Sequence, residues 1–132
     1  MKDTVANLLV KYLEAQCKLA GRPMVTTGAI PITSIDKNRE VALSKVNVKG
    51  LINEGNAPSK KTWVKPASGT FSKVEDIEGL LIAGTPADIA RDTKRYEDAG
   101  LNHIVYDLRF RYADWYEQID YLGKEVLPSL RA

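Results

Sequence analysis

Several features of familiar catalytic and targeting machinery are missing from this chain. It contains one cysteine, Cys17, and one histidine, His103, which excludes an internal disulfide and a metal site built from His and Cys. No apolar run approaches the roughly 18 residues that a membrane span requires, and the first residues, MKDTVANLL, do not form a signal peptide. A lone cysteine suits a reducing compartment, so we expect a cytoplasmic protein with no membrane partner and no metal.

The chain also lacks nucleotide-binding motifs and a large excess of positive or negative residues. The sequence has no glycine-rich dinucleotide fingerprint, no phosphate-binding loop and no GxSxG elbow. A net charge of +2 gives no argument for nucleic acid. Lys60, Lys61 and Lys65 around Trp63 are therefore interpreted as a solvated loop, and Cys17 as a buried core residue. Catalytic residues stay unknown at this stage.

The 132 residues predict one α/β domain, residues 1–132, in which helices alternate with two strands. Pro31 should end the first strand near Ile30, and Ser34 or Asp36 should cap the helix that follows. Ser72 and Glu75 have the spacing of a capping box. The predicted elements before residue 79 are a helix (Asp3–Ala20), a strand (Met24–Ile32, with its regular ladder over Met24–Ile30), a helix (Lys37–Ile52), and a surface loop that is also a candidate lid (Asn53–Phe71).

The most clearly patterned stretch is Gly79–Arg111. Thr85 and Pro86 are typical of a helix start, and Gly100 of a helix end. A buried strand is predicted over His103–Leu108, and Leu80–Gly84 is either a short extended piece or a buried turn. A last helix is predicted over Tyr112–Arg131, and Pro128 should break it near its end. Its buried stripe should consist of Trp115, Ile119, Leu122 and Val126.

The candidate binding residues lie at the predicted strands. Asp107, Arg109 and Arg111 follow at period two, so they share a face if the extended chain continues. Arg109 could bind a phosphate or carboxylate, or form an ion pair that fixes the strand to the next helix. Thr26 and Thr27 are either hydroxyls satisfied by the backbone or the lining of a site beyond the strand. His103, at the opposite end of its strand, is interpreted as structural.

Three stretches in this order resemble the C-terminal end of luciferase-like flavin monooxygenases and F420-dependent oxidoreductases: GLLIAGTPADIA, YEDAGLNHIVYDLR and KEVLPSLR. The resemblance implies an α/β fold made of the last units of a (β/α)8 barrel, and FMN or F420 as cofactor. By that analogy Met24–Ile30 and His103–Leu108 correspond to the seventh and eighth strands. Thr26, Thr27, Asp107 and Arg109 are the candidate cofactor-binding residues, although no flavin motif of the family can be matched to them.

The chain has about half of the roughly 250 residues of a complete barrel. Two parallel strands would leave open edges and an uncovered apolar face, so we expect a homo-oligomer or a partner chain that completes the barrel. The first functional hypothesis is a truncated or partial flavin-dependent oxidoreductase, monooxygenase-like, that is inactive alone. The alternatives are a non-catalytic oligomerising module and a small anion-binding protein that uses Arg109 and Arg111.

Overall fold

The computed structural model describes residues 3–61 and 63–132, with side chains from residue 8 onward. Single helical turns connect several of its regular elements. The short 3₁₀ turns are Pro58–Lys60, Val74–Ile77 and Arg109–Asp114, and Leu122–Val126 is a π-helical turn. The helices and strands are α1 (Asp3–Leu19), β1 (Gly28–Ala29), β2 (Ile32–Ile35), α2 (Arg39–Ser44), α3 (Val48–Gly55), β3 (Leu81–Gly84), α4 (Pro86–Asp98), β4 (His103–Ile104), α5 (Trp115–Tyr121) and α6 (Leu127–Arg131).

All the described strand pairs are parallel, and the segment that contains β1 and β2 lies in their middle. β1 pairs with β4, β2 pairs with β3, and a bridge between Ile32 and Asp107 joins the two pairs. The amide of Ile32 donates to the carbonyl of Leu80, and the next amide, that of Thr33, donates to the carbonyl of Asp107. Because successive amides point to opposite sides of a strand, β3 and β4 flank the middle segment.

This strand order differs from the one expected for consecutive units of a barrel. In a (β/α)8 barrel, strands that follow one another in the chain lie side by side. Here α4 connects β3 to β4 across the middle segment, as in an open parallel sheet. The predicted neighbours, the first strand and the strand at His103, do pair. The extended piece at Leu81–Gly84, left open by the sequence, is a strand on the other side.

Alternating side chains of the strands form two cores on opposite faces of the sheet. Ile32, Leu81 and Ala83 pack with α2, α3 and Phe71, whereas Ile35 and Ile82 pack with α4 and the C-terminal helices. In the register that pairs Ala29 with Ile104, the next residues, Ile30 and Val105, are opposite one another. These two are 66% and 45% exposed, so part of one apolar face lies open.

Several of the sequence predictions for helix ends are confirmed. The Thr85 side chain accepts from the amide of Asp88, and the Asp88 carboxylate accepts from the amide of Thr85 in return. Pro86 is at the first turn, and Gly100 has a φ of 96° just past α4. Helix α1 ends at Leu19, before Gly21, and Cys17 is buried. These ends were predictable because they depend on local chemistry alone.

The first ladder, between β1 and β4, ends at Ala29, close to the predicted Ile30, but the extended segment continues beyond Pro31. Regular pairing resumes at Ile32 and continues to Ile35, whereas Met24–Thr27 precede the strand. Pro31 is buried, and its carbonyl accepts from the amide of Asp107. Its missing N–H therefore removes a single bond toward β4, at the point where the middle segment begins to pair with β3.

The single helix predicted over Lys37–Ile52 is two helices. Asn38 caps α2 and Asn47 caps α3, each through a side-chain oxygen that accepts an amide three residues on, at 2.8 and 2.9 Å. The predicted caps, Ser34 and Asp36, lie at the end of β2 instead. In the later turn, the capping carboxylate is that of Asp76 and not of Glu75, and it accepts from the amides of Ser72 and Lys73. The side chain of Asn47 bonds to a backbone amide, which explains why the predicted helix is interrupted between α2 and α3.

The C-terminal helix is also divided, and the predicted stripe is buried only in its second half, where Leu122 packs against the core and Val126 is fully buried. Gln118 and Val126 are fully buried, whereas Trp115 and Ile119 are 42% and 45% exposed. Pro128 does not break the helix but lies in the first turn of α6, where its missing N–H is tolerated. The π-helical turn Leu122–Val126 precedes it.

No helix of the described residues is long and apolar enough to cross a membrane.

Candidate functional site

The carboxyl end of the sheet, where open parallel sheets bind ligands, is filled by the side chain of Arg111. This residue is 3% exposed. Its Nη1 donates to Ser34 Oγ and to the carbonyl of Ile35, both at 2.9 Å. Its Nη2 and Nε donate to Asp36 and Asp114. All five N–H groups of the guanidinium are thus used within the chain.

The charges of this cluster stabilise one another. Burial works against the charged form of Arg111, but Asp114 and Asp36 outweigh it and raise the pKa of the guanidinium. A hydrogen bond from Lys45 Nζ, at 2.7 Å, is the main cause that lowers the pKa of Asp36. A hydrogen bond from Arg111 lowers the pKa of Asp114. The cluster is therefore a saturated structural network rather than an open anion site.

Gln118 closes the same end of the sheet by acting as a strand partner. Its Oε1 accepts from the amide of Ile35 at 2.8 Å, and its Nε2 donates to the carbonyl of Ile35 at 2.9 Å. The amide of Ile35 points to the side on which Thr33 bonds to Asp107. The side-chain amide thus continues the ladder beyond the point where the backbone of β4 has turned away.

The structure separates the arginines that the sequence placed on one face. A 3₁₀ turn begins at Arg109, so the extended chain and its period of two end there. Arg109 is exposed, and its Nε donates to Asp107 Oδ2 at 2.7 Å. Burial opposes ionisation of Asp107, but the bonds from Arg109 outweigh it and lower the pKa. Arg109 forms an ion pair, but with Asp107 two residues earlier and not with the next helix. The anion-binding use of Arg111 was wrong.

Thr26 and Thr27 lie at the opposite end of the sheet from Asp107 and Arg109. Thr27 precedes β1, and its hydroxyl donates to the carbonyl of Gly100 at 3.3 Å, next to Asn102 at the amino end of β4. Thr26 is exposed. The two pairs of predicted residues therefore lie at different ends of the sheet. Their assignment as cofactor ligands stays a prediction.

A groove of about 510 Å³ lies beside the turn that leads into β3. Trp63 and Phe71 contribute to its lining and meet edge to face, with ring centroids 6.4 Å apart. Gly79 and Leu80, which also line it, immediately precede β3. The groove is therefore at the amino end of that strand. The predicted loop Asn53–Phe71 includes the end of α3 and one 3₁₀ turn, and it supplies one wall.

Sequence reasoning missed Gln118 and the groove for different reasons. Gln118 lies four residues before Leu122 and eight before Val126, both of which face the core. A polar residue on that apolar stripe was a signal of a buried hydrogen bond. The groove has no such signal, because no periodic pattern shows how the loop at Trp63 folds against the turn that precedes β3.

Within the described part of the chain, no group of three or more His, Cys, Asp or Glu residues could hold a metal ion.

Comparison with known proteins supports the fold. No family model and no curated protein matches the chain. Its structure is similar to the coenzyme F420-dependent tetrahydromethanopterin reductase from Methanopyrus kandleri, with a TM-score of 0.63 and 19% sequence identity. The likeness covers 95% of this chain and 42% of that enzyme, so the chain spans less than half of its length. The shared feature is an α/β fold with parallel strands.

Proposed function

We propose that this chain is part of a flavin-class oxidoreductase of the luciferase-like type, with F420 or FMN as cofactor. The observation that carries the proposal is the likeness of 95% of the chain to an F420-dependent reductase. The order of the motifs around Gly79–Arg111 and at the C-terminus supports it. A bound flavin-class cofactor would supply the redox chemistry, and this chain would supply part of the fold that holds it.

We further propose that the chain does not turn over alone. Arg111 and Gln118 occupy the carboxyl end of its sheet, where they bond to Ile35. Ile30 and Val105 leave part of one sheet face exposed. A partner chain or a second copy would cover this face and complete the cofactor site, since a surface of this kind is unfavourable in water.

Within such an assembly, Asp107 and Arg109 are the stronger cofactor candidates of the predicted set. They lie next to the carboxyl end, and Arg109 is exposed. Its guanidinium could exchange the Asp107 carboxylate for an anionic group of the cofactor, because both are recognised by the same planar fork. Thr26 and Thr27 would have to contact a different part of the assembly.

Titration with FMN and with F420, followed by cofactor fluorescence, tests this proposal. We expect saturable binding of one of them by the assembled protein and weaker or no binding by the isolated chain. The variant Arg109→Ala should weaken binding about tenfold or more, while Lys61→Ala, an exposed lysine of the loop, should not. Absence of binding in every assembly state would overturn the oxidoreductase proposal.

The second candidate function, a non-catalytic oligomerising module, is supported by an exposed aromatic surface. Tyr112 and Tyr116 are 82% and 72% exposed, and Trp115 and Ile119 lie beside them on the same helical region. We call these four residues the α5 patch. Such a concentration of exposed apolar side chains is typical of an interaction surface.

Size-exclusion chromatography with light scattering tests the second candidate. An oligomer that dissociates in the double variant Trp115→Ser/Tyr116→Ser, but not in Tyr12→Ser, would support it. Tyr12 is a suitable control because it is 67% exposed on a different helix, α1. A monomer at micromolar concentration would contradict it.

A further inference from the structure

The groove beside β3 has the size and lining of a small-molecule site. Its volume of about 510 Å³ falls within the roughly 300–1,000 Å³ of typical ligand pockets. Trp63, Val64, Pro66, Phe71 and Leu80 supply apolar and aromatic surface. Trp63 and Phe71 also pack against the core that contains Leu81. The aromatic wall is therefore anchored to the sheet.

A lysine ammonium lies over each of the two rings of this wall, and one of these lysines, Lys65, has no acidic partner among the described residues. Lys60 lies 4.9 Å from the Trp63 ring centroid and pairs with Glu54 at 3.2 Å. Lys65 lies 4.8 Å from the Phe71 centroid and donates to the carbonyl of Gly55. No carboxylate of the described residues forms an ion pair with Lys65. A half-buried ammonium with only a neutral acceptor gains from an added anion.

The carboxylates of the lining do not remove this preference. Asp76 is taken up by the turn, because its carboxylate accepts from the amides of Ser72 and Lys73 at 2.8 and 3.1 Å. Glu78 has an interaction partner of its own. Glu75 is exposed to water, where its charge is screened.

We propose that this groove binds a planar aromatic compound that carries an anionic group. The ring packs against Trp63, Phe71 and Leu80, and the anionic group pairs with the Lys65 ammonium. Apolar and aromatic surface supplies most of the binding free energy, and the charge pair sets the preference for an anion. The site lies at the amino end of β3, away from Asp107 and Arg109, so it does not depend on the oxidoreductase proposal.

The test uses the chain's two tryptophans as separate reporters. The Trp115→Phe variant leaves Trp63 as the sole indole and is titrated with 1-anilinonaphthalene-8-sulfonate, with the uncharged N-phenyl-1-naphthylamine as the matched probe. We expect saturable quenching of Trp63 at one site, with the sulfonate bound about tenfold more tightly. Trp63→Phe, which reports from Trp115 on the α5 patch, should show no saturable quenching at the same concentrations.

Two lysine variants identify the anion contact. Lys65→Met should remove the preference for the sulfonate, whereas Lys61→Met, four positions earlier and outside the lining, should keep it. Circular dichroism of each variant checks that the fold is retained. Equal affinity for both probes, or a preference that survives Lys65→Met, would overturn the proposal. Quenching of Trp115 in place of Trp63 would also overturn it, because the probe would then bind the α5 patch.

Discussion

At the scale of single residues, the two arginines near the end of β4 show why sequence position did not define the site. The predicted strand His103–Leu108 is shortened to His103–Ile104, Asp107 forms a separate bridge with Ile32, and Arg109 already belongs to the next turn. Arg111 could not be placed, because period two applies only while the chain is extended, and a 3₁₀ turn begins at Arg109. The turn directs Arg111 inward to Ile35 and Ser34, which no local pattern predicts.

We expect Arg111→Met to be strongly destabilising. The substitution removes a buried guanidinium that bonds to Ser34, Ile35, Asp36 and Asp114. Breaking a buried ion pair on one side costs about 3–5 kcal/mol. The matched substitution Arg109→Met removes an exposed pair and should cost less than about 1 kcal/mol. Urea unfolding of both variants measures the difference. Equal losses would show that Arg111 does not hold the sheet end together.

The acidic members of this cluster predict a loss of stability in acid. The folded-state pKa values of Asp36 and Asp114 are lowered, so their contribution is complete above the unfolded value of about 3.9. It decreases as the pH falls through that value toward the folded one. Urea unfolding between pH 6 and pH 3 should show a smaller decrease in Asp36→Asn than in the parent. Asp120→Asn, at an exposed carboxylate, is the control and should follow the parent.

At the scale of elements, the ends of α4 were predictable and the division of the other helices was not. Thr85, Pro86 and Gly100 act within a few residues of the chain, so their sequence is sufficient. The buried stripe of α5 depends instead on what Ile35 requires from a distant segment. The predicted stripe and the observed one share Leu122 and Val126. They differ in the first turns, where hydrogen bonding to Ile35 buries Gln118 in place of Trp115 and Ile119.

Gly84 and Gly123 differ in whether the structure tolerates a side chain at their positions. Gly84 joins β3 to α4 with a φ of 149°, and a Cβ there would overlap the Asp88 carboxylate. Gly84→Ala should therefore cost about 1–3 kcal/mol. Gly123 is helical, and a Cβ there meets open space, so Gly123→Ala should stabilise by up to about 1 kcal/mol. Thermal unfolding of the two variants should shift in opposite directions, and a shared direction would contradict this reasoning.

At the scale of the whole molecule, one extended segment connects both cores. Ile32 belongs to the core that contains Phe71, and Ile35 to the core that contains Tyr96 and Val126. Because both residues belong to the same strand, unfolding of this strand would disrupt both cores. The sequence indicated the α/β class and the parallel pairing with His103, but not that this segment is central. Strand order depends on long-range packing that periodicity does not encode.

This shared strand predicts a single cooperative unfolding transition. Trp63 reports on one core, because it packs against it, and circular dichroism reports on the helices of both faces. In the Trp115→Phe variant, fluorescence and circular dichroism should give the same urea midpoint. An earlier fluorescence midpoint would mean that the core beside the groove opens on its own.

The ladder beyond β4 is continued by Gln118, whose side-chain amide both accepts from and donates to Ile35. Deamidation of Gln118 would produce an isosteric carboxylate that can still accept from the amide of Ile35 but can no longer donate to its carbonyl. Two electronegative oxygens would then face each other in a buried position, which costs about 1–3 kcal/mol or more. Scanning calorimetry of Gln118→Glu should show a lower melting temperature than that of Gln16→Glu, an exposed position on α1. Slow chemical ageing at this one amide would then weaken the contact between the terminal helices and the strand that they cover.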